Sequence, residues 1–279
     1  MIVRAIHYLR WRAHLASLRW HVDGLETIEG PEGRNFIICG LPRSGTSLLC
    51  GALLQPPRIV TVMEPWDGLR MPPAELFASL REEIRETGEM SRGKLDLDAL
   101  RDHGRIQWTS EGSQSMGFDD FGNLVLGVKW PTFWQYLGRL PTVKFLVCIR
   151  DPYEVVASFK RVGGRLGNGL EYAVRFNRTM NRELRGMAPT DWERRVFLYE
   201  YIASRALDFA SEPNVMLVRF ERWFDDPDGL VRQMSRFLDV DIDPPKIQIR
   251  RPNREPSLDR RERDLIAEVC DSARTLGYV

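Results

Sequence analysis

The sequence predicts an α/β fold: a central, mostly parallel sheet of about five strands with helices on both faces. Three observations predict it. Five short apolar or β-branched runs fall at residues 36–39, 59–62, 124–128, 143–149 and 215–218. Each has the length of a strand and stays apolar at consecutive positions, as strands covered on both faces do. Helical spacing and helix start signals fill the intervals, and strands that alternate with helices build a parallel sheet. The first run ends in a glycine-bracketed turn that leads directly into a helical pattern, the order of a strand, an anion-binding loop and a helix.

Taken in order, the chain opens on a basic stretch. Arg4, Arg10, Arg12 and Arg19 precede the first acid, Asp23, and they interrupt any apolar run long enough for a signal peptide or a membrane span. His7, His14 and His21 recur every seven residues beside Tyr8, Leu15 and Val22, which puts both sets on neighbouring stripes of a helix. Metal ligation would want tighter spacing. Residues 1–33 are therefore expected to form a basic helical extension of a single domain spanning 1–279. That helix packs on the body or on a second subunit as a homodimer, with peripheral membrane contact as the lesser alternative.

The first strand runs into Gly40-Leu-Pro-Arg-Ser-Gly-Thr-Ser47. Gly40 and Gly45 keep the spacing of the G-x-x-x-x-G-K-[ST] phosphate loop, but Thr46 stands where its lysine belongs. The cradle of backbone N–H groups at a helix start survives, and the lysine that accompanies a metal-bound triphosphate does not. Arg43, inside the loop, offers a forked donor for a tetrahedral oxyanion. Leu48, Leu49, Ala52 and Leu53 continue with helical spacing, completing the expectation of a three-layer, P-loop-type fold.

The second strand leads to Glu64, in Val62-Met-Glu-Pro-Trp66, a carboxylate at a strand end, with Asp67 and His103 as the other titratable side chains weighed beside it. Residues 110–122 are rich in Ser and Gly and read as a long surface loop. Trp66, Trp108 and Trp130 are suited either to stacking on a bound sugar or aromatic ring or to the core. The third strand ends at Lys129, followed by Trp130-Pro131. The fourth ends at Arg150, and Asp151, Pro152 and Glu154 then form a helix start that carries Ser158 two turns in. Arg150 fits equally a contact to a bound anion or an ion pair to Asp151 or Glu154. Thr190 and Glu193 mark another helix start. Beyond the fifth strand, residues 241–258 combine several prolines with Arg250, Arg251 and Arg254, which reads as a lid loop or as a solvated basic surface.

Composition bounds the partners. Forty basic and 39 acidic residues nearly cancel, for a net charge of +1, so nucleic acid is not the expected partner and any anion site is local. The four cysteines have no C-x-x-C spacing and read as buried thiols in a reducing, cytoplasmic setting.

Pro42-Arg-Ser-Gly-Thr46 together with Arg150-Asp-Pro152 and Ser158 resembles the sulfotransferase family, whose donor is 3′-phosphoadenosine 5′-phosphosulfate (PAPS). The resemblance continues in Val218-Arg-Phe-Glu221, Asp226-Pro227, Phe237-Leu238 and the tail Leu276-Gly-Tyr278. It implies that Arg43, Ser44, Gly45, Thr46 and Ser47 hold the 5′-phosphosulfate, and that Arg150 and Ser158 hold the 3′-phosphate. An arginine in the loop is more similar to the tyrosylprotein and carbohydrate branches than to the small-phenol branch. In those branches the position of Glu64 resembles the catalytic acid and Lys129 the cation that neutralises the bridging oxygen. The implied reaction moves a sulfonate from PAPS to a hydroxyl of a carbohydrate, glycolipid or other small metabolite, leaving adenosine 3′,5′-bisphosphate and requiring no metal. Phe220 departs from the family's usual tyrosine, and Lys160 and Arg161 stand near the second motif without matching it. The alternatives are a P-loop kinase or hydrolase, and a noncatalytic nucleotide-binding scaffold.

Overall fold

The computed structural model describes residues 27–65, 67–90, 122–171, 177–245, 249 and 256–278. Five strands form one sheet: β1 (Asn35–Gly40), β2 (Ile59–Met63), β3 (Val125–Lys129), β4 (Lys144–Ile149) and β5 (Val215–Arg219), in the order β2-β3-β1-β4-β5. Every pairing is parallel. All five predicted strands are present, each displaced by no more than one residue at either end.

Burial explains their composition. Each of the six residues of central β1 is buried, so the strand is apolar from Phe36 on, whereas edge strand β5 alternates toward its end. The β1–β3 pairing is close because β3 has Gly127, where a Cβ would stand 2.3 Å from Phe36 Cζ. Because all strands run the same way, their C-terminal ends share one edge of the sheet, where ligands of parallel sheets sit.

Helices surround the sheet. In chain order they are α1 (Thr46–Ala52), α2 (Pro73–Thr87), α3 (Pro152–Val162), α4 (Gly164–Gly167), α5 (Arg178–Met187), α6 (Asp191–Asp208), α7 (Arg222–Asp225), α8 (Pro227–Leu238), α9 (Arg260–Val269) and α10 (Asp271–Thr275). A 3-10 helix, Pro131–Tyr136, follows β3 and packs on β1. Their starts are set as the sequence indicates. The Asp151 carboxylate accepts the N–H groups of Tyr153 and Glu154 at 2.7 and 3.3 Å, and Pro152 takes the first helical position, where no N–H is needed. Thr190 with Glu193 forms a capping box on α6, and Asp259 with Glu262 forms one on α9. Helix α6 packs against α3, α5, α9 and α10 and reaches β1, so it organises the C-terminal half around the sheet.

Two appendages differ from expectation where they are described. Residues 27–33 are not helical. Pro31 and the positive φ of Gly33 break the pattern, and the Ile28 N–H donates to the Arg139 carbonyl at 2.9 Å. Residues 1–26, with the histidine stripe, lie outside the described residues. The segment after α8 begins away from the C-terminal strand edge. Asp243 exchanges hydrogen bonds with Gln55, just before β2, at 2.8 and 2.9 Å and pairs with Arg58. Its opening residues are thus tied to the N-terminal edge, while Arg250, Arg251 and Arg254 lie outside the described residues. So do most of loop 110–122, Trp66, Trp108 and His103.

Candidate active site

The loop after β1 is built by close approach to β4. Gly40 has φ 117°, and a Cβ there would stand 2.3 Å from the Cys148 carbonyl oxygen, so only glycine allows the turn. That carbonyl accepts the Leu41 N–H at 3.1 Å and the Ser44 hydroxyl at 3.0 Å. Ser44 also donates its hydroxyl to the Leu41 carbonyl at 2.6 Å and is buried, so its side chain braces the loop from within. Arg43 and Gly45, on either side of it, have φ 71° and 93°. A non-glycine residue at positive φ stores strain of about 1–3 kcal/mol, and such strain gathers at functional sites. Alternating backbone handedness also turns successive N–H groups toward a common concavity. A Cβ on Gly45 would lie 2.5 Å from Phe220 Cδ2, so the loop rests against the residue following β5.

The second motif closes on the first. The Arg43 Nε donates to the Ser158 hydroxyl at 3.0 Å, and Arg150 donates through Nη1 to the Arg43 carbonyl at 3.2 Å. Arg150 also pairs with Glu154 and lies over the Phe220 ring, 4.2 Å from its centroid, a cation–π contact. Both sequence readings of Arg150 therefore hold: it makes an ion pair on its own helix and it faces the loop. Its Nε is buried and has no hydrogen-bond partner among the described residues. Burial and then Arg161 lower the pKa of Arg43 from its ordinary value. Arg150 is lowered chiefly by burial, with Arg161 and Arg43 adding to the effect and Glu221 and Asp151 opposing it. Three guanidiniums thus share one field. Lys160, by contrast, pairs with buried Glu262 at 2.9 Å and belongs to the packing of α9.

At the other side of the loop, the β2–β3 register sets Met63 opposite Lys129, which brings Glu64 beside it. The Glu64 N–H donates to the Lys129 carbonyl at 2.8 Å, and the Lys129 ammonium donates to Glu64 Oε1 at 2.6 Å. The side chains are 2% and 14% exposed. Glu64 has φ 47°, a left-handed conformation that strains a non-glycine residue. The pair is held out of water as a neutral unit, with the carboxylate on the more open side. Asp67 begins the next turn, whose Arg70 N–H bonds back to it at 2.8 Å, and it is not among the residues lining this space. Trp130 is 5% exposed, and its indole donates to the Pro65 carbonyl at 3.3 Å, so it packs in the core.

Pro42, Arg43, Gly45, Thr46, Ser47, Glu64, Lys129, Pro131, Arg150, Val162, Leu166 and Phe220 line one cleft of about 360 Å³. Of the predicted site residues, seven line it. Ser44 and Ser158 support it from behind, Ser158 through Arg43. Every strand contributes: the loop follows β1, Glu64 follows β2, Lys129 ends β3, Arg150 follows β4 and Phe220 follows β5.

Sequence reasoning missed the support behind Arg150. Glu221 accepts the Asp151 N–H through Oε1 at 2.9 Å and the Tyr278 hydroxyl through Oε2 at 2.7 Å. Tyr278 lies under Arg219, 4.5 Å from ring centroid to guanidinium. The Tyr199 hydroxyl donates to the Arg150 carbonyl at 3.0 Å. The tail motif containing Tyr278 was visible as a pattern, but nothing local in it indicates that it reaches Glu221. The Val162 and Leu166 wall, either side of Gly163-Gly164, was also missed.

A parallel sheet whose strand ends gather an anion loop, converging guanidiniums and an ammonium–carboxylate pair defines an α/β protein of the P-loop type. Residues 35–244 match the model of the sulfotransferase family, and the chain belongs to that family. The nodulation protein NoeE of Sinorhizobium fredii is 31% identical over 141 residues, 46% of this chain and 32% of NoeE. The chain thus spans about a third of the length of that relative. A solved sulfotransferase from Alicyclobacillus acidocaldarius is 20% identical with a TM-score of 0.47, covering 88% of this chain and 96% of that one. Sulfotransferase STF9 from Mycobacterium avium is 14% identical with a TM-score of 0.44, covering 87% and 77%. Among the described residues, no helix is long and apolar enough to cross a membrane.

Proposed function

We propose that the protein transfers a sulfonate group from PAPS to a hydroxyl of a carbohydrate, glycolipid or other small metabolite, with Glu64 as general base. One observation carries this reading: the Glu64–Lys129 pair and the Arg43–Ser158 contact line or brace the same loop from opposite sides. The first is suited to a proton and a developing negative charge, the second to a phosphate. The donor's chemistry fits the residues present. Arg43, Arg150 and Arg161 repel one another, and an anion between them relieves that repulsion. Arg43, Arg150 and the loop residues Gly45, Thr46 and Ser47 line the same cleft, so a bound anion there lies beside both guanidiniums.

PAPS supplies a sulfonate on a phosphate oxygen, a group less charged than a terminal phosphate and movable by fixed protein donors. Residues 43 and 45–47 hold and orient it by backbone N–H groups and the Arg43 fork. Glu64 takes the proton of the acceptor hydroxyl as its oxygen bonds to sulfur. The bond from sulfur to the bridging phosphate oxygen breaks, and its electron pair leaves with adenosine 3′,5′-bisphosphate. Protonating Glu64 removes the counter-charge of Lys129, which leaves that ammonium available to the charge building on the bridging oxygen.

The test is transfer of labelled sulfonate from PAPS to a panel of glycan, lipid and phenolic hydroxyls. Glu64→Gln should lower turnover by about 10²–10⁴, the contribution of a general base, while donor binding is retained. Arg43→Ala should lose donor binding as well. Undiminished turnover in Glu64→Gln would remove the base assignment.

A further inference from the structure

Beyond Ser158, helix α3 ends at Val162, and Gly163-Gly164 turn the chain into α4. Val162 and Leu166, on either side of that turn, line the cleft together with Arg43 and Arg150. Gly163 and Gly164 have φ 67° and 57°, and a Cβ on either would meet nothing within 4 Å. The turn itself therefore does little to fix this wall of the cleft, which is set from its two ends.

Both ends lead to one carboxylate. Glu262, on α9, is 1% exposed. Its Oε1 accepts from Arg195 Nη2 at 2.9 Å, and Nη1 of the same guanidinium donates to the carbonyl of Gly167, the last residue of α4, at 2.9 Å. Its Oε2 accepts from the Lys160 ammonium at 2.9 Å, midway along α3 between Ser158 and Val162. The Arg195 side chain is 10% exposed and that of Lys160 43%, so the arginine arm is the desolvated one. Its fork serves the carboxylate and the carbonyl at once, whereas a lysine, shorter and with a single nitrogen, reaches only one of them. The Arg194 Nε donates to the Asn168 carbonyl at 3.1 Å, so α4 keeps a second anchor when the first is removed.

Helix capping does not account for the charge of Glu262. The capping box asks only that its side chain accept the Asp259 N–H, as it does at 3.0 Å, and a glutamine does that as well. On the reading that this cleft takes PAPS, we propose that Glu262 is a positioning residue for the donor. Through Arg195 and Lys160 it sets the Val162–Leu166 wall against the face where Arg43, Ser158 and Arg150 meet. Helix α9 thus controls donor affinity although none of its residues lines the cleft.

Calorimetric titration with adenosine 3′,5′-bisphosphate tests this in the full chain and in three variants. Glu262→Gln keeps the capping box and removes the charge. Arg195→Lys keeps the buried charges paired and removes the fork, so it decides the matter even where Glu262→Gln unfolds. Each should weaken the bisphosphate about fivefold, the effect of one lost hydrogen bond, with unchanged stoichiometry. Partial unfolding would instead lower the stoichiometry and leave the affinity of the folded fraction as it was. In transfer from labelled PAPS the donor KM should rise by about the same factor while kcat is retained. Asp259→Ala weakens the same helix start but leaves both ion pairs, and it should bind the bisphosphate as the unmutated chain does. Undiminished affinity in Arg195→Lys, an equal loss in Asp259→Ala, or a loss of stoichiometry or kcat alone overturns the role of Glu262 and leaves the donor reading standing. Absence of bisphosphate binding in the unmutated chain overturns the donor reading, and this role with it.

Discussion

Replacing Lys129 by Met removes one charge of the buried pair beside the loop and keeps an unbranched stem. At 2.6 Å and an effective dielectric of about 20, the pair attracts by on the order of 6 kcal/mol. Desolvating the two ions, at several kcal/mol each, offsets most of that, and breaking such a pair costs about 3–5 kcal/mol because one charge is stranded. Glu64, at 14% exposure, retains more water than Lys129 at 2%. Lys129→Met should therefore lie near the lower end, about 3 kcal/mol, and Glu64→Gln, which takes the carboxylate from the deeper ammonium, should cost at least as much. The double variant removes both charges of the pair, so its loss should fall short of the sum by about 2 kcal/mol. Urea unfolding followed by tryptophan fluorescence measures all three, and an unchanged denaturant slope confirms that stability alone has moved. If each single variant costs under about 0.5 kcal/mol, or if the double equals the sum, the two groups do not hold one another. The orientation of Glu64 toward an acceptor would then lack its support.

Three further outcomes follow from contacts around the site. Gly45→Ala combines a φ of 93° with a Cβ 2.5 Å from the Phe220 ring, so it should weaken adenosine 3′,5′-bisphosphate by about tenfold or more in calorimetry. Gly88→Ala, at φ 66° with nothing within 4 Å, should cost only stability, about 1–2 kcal/mol, and equal effects on affinity would contradict the packing argument. Tyr278→Phe deletes a hydrogen bond to the Glu221 carboxylate, worth about 1.5–3 kcal/mol. It should raise the KM for the donor more than it lowers kcat, because the bond steadies the Arg150 turn without facing the cleft; a pure kcat loss would refute that role. Burial pushes the Cys50 thiol up to about 12, so about 10⁻⁴ of it is the reactive thiolate at pH 8. Cys39, Cys148 and Cys270 are raised as well, chiefly by burial, and all four are buried and free. A thiol reagent should label none of them in the folded protein at pH 8 and all four in urea; rapid native labelling would contradict the burial.

The strands were legible because they are buried on both sides. After Asn35, the FIICG of β1 has no polar position for an alternation to hide, and Gly40 and Gly45 bracket the turn that only glycine permits. Arg43, Thr46 and Glu64 were likewise legible, since each stands within a few residues of a strand end and parallel strands share one edge. What the sequence did not disclose depends on contacts far apart along the chain. Phe220 was visible only as a tyrosine lost, yet its ring packs on Gly45 and carries Arg150. Ser44 was grouped with the anion-binding residues, and its hydroxyl turns inward to two carbonyls. No local pattern links Tyr278 to Glu221, 57 residues away. Residues 241–258 read as a lid from their prolines and arginines; the attachment of Asp243 to Gln55 and Arg58 is one that composition cannot express.

The central claim, that the loop after β1 and the Arg150–Ser158 motif form one donor site, is tested most directly by calorimetric titration with adenosine 3′,5′-bisphosphate without metal. Parallel titrations with ATP and magnesium, and with Arg43→Ala, complete the measurement. The account predicts saturable, metal-independent binding of the bisphosphate, stronger than that of ATP with magnesium and weakened at least about tenfold in Arg43→Ala. Preference for ATP with magnesium, or bisphosphate binding indifferent to Arg43, would contradict it.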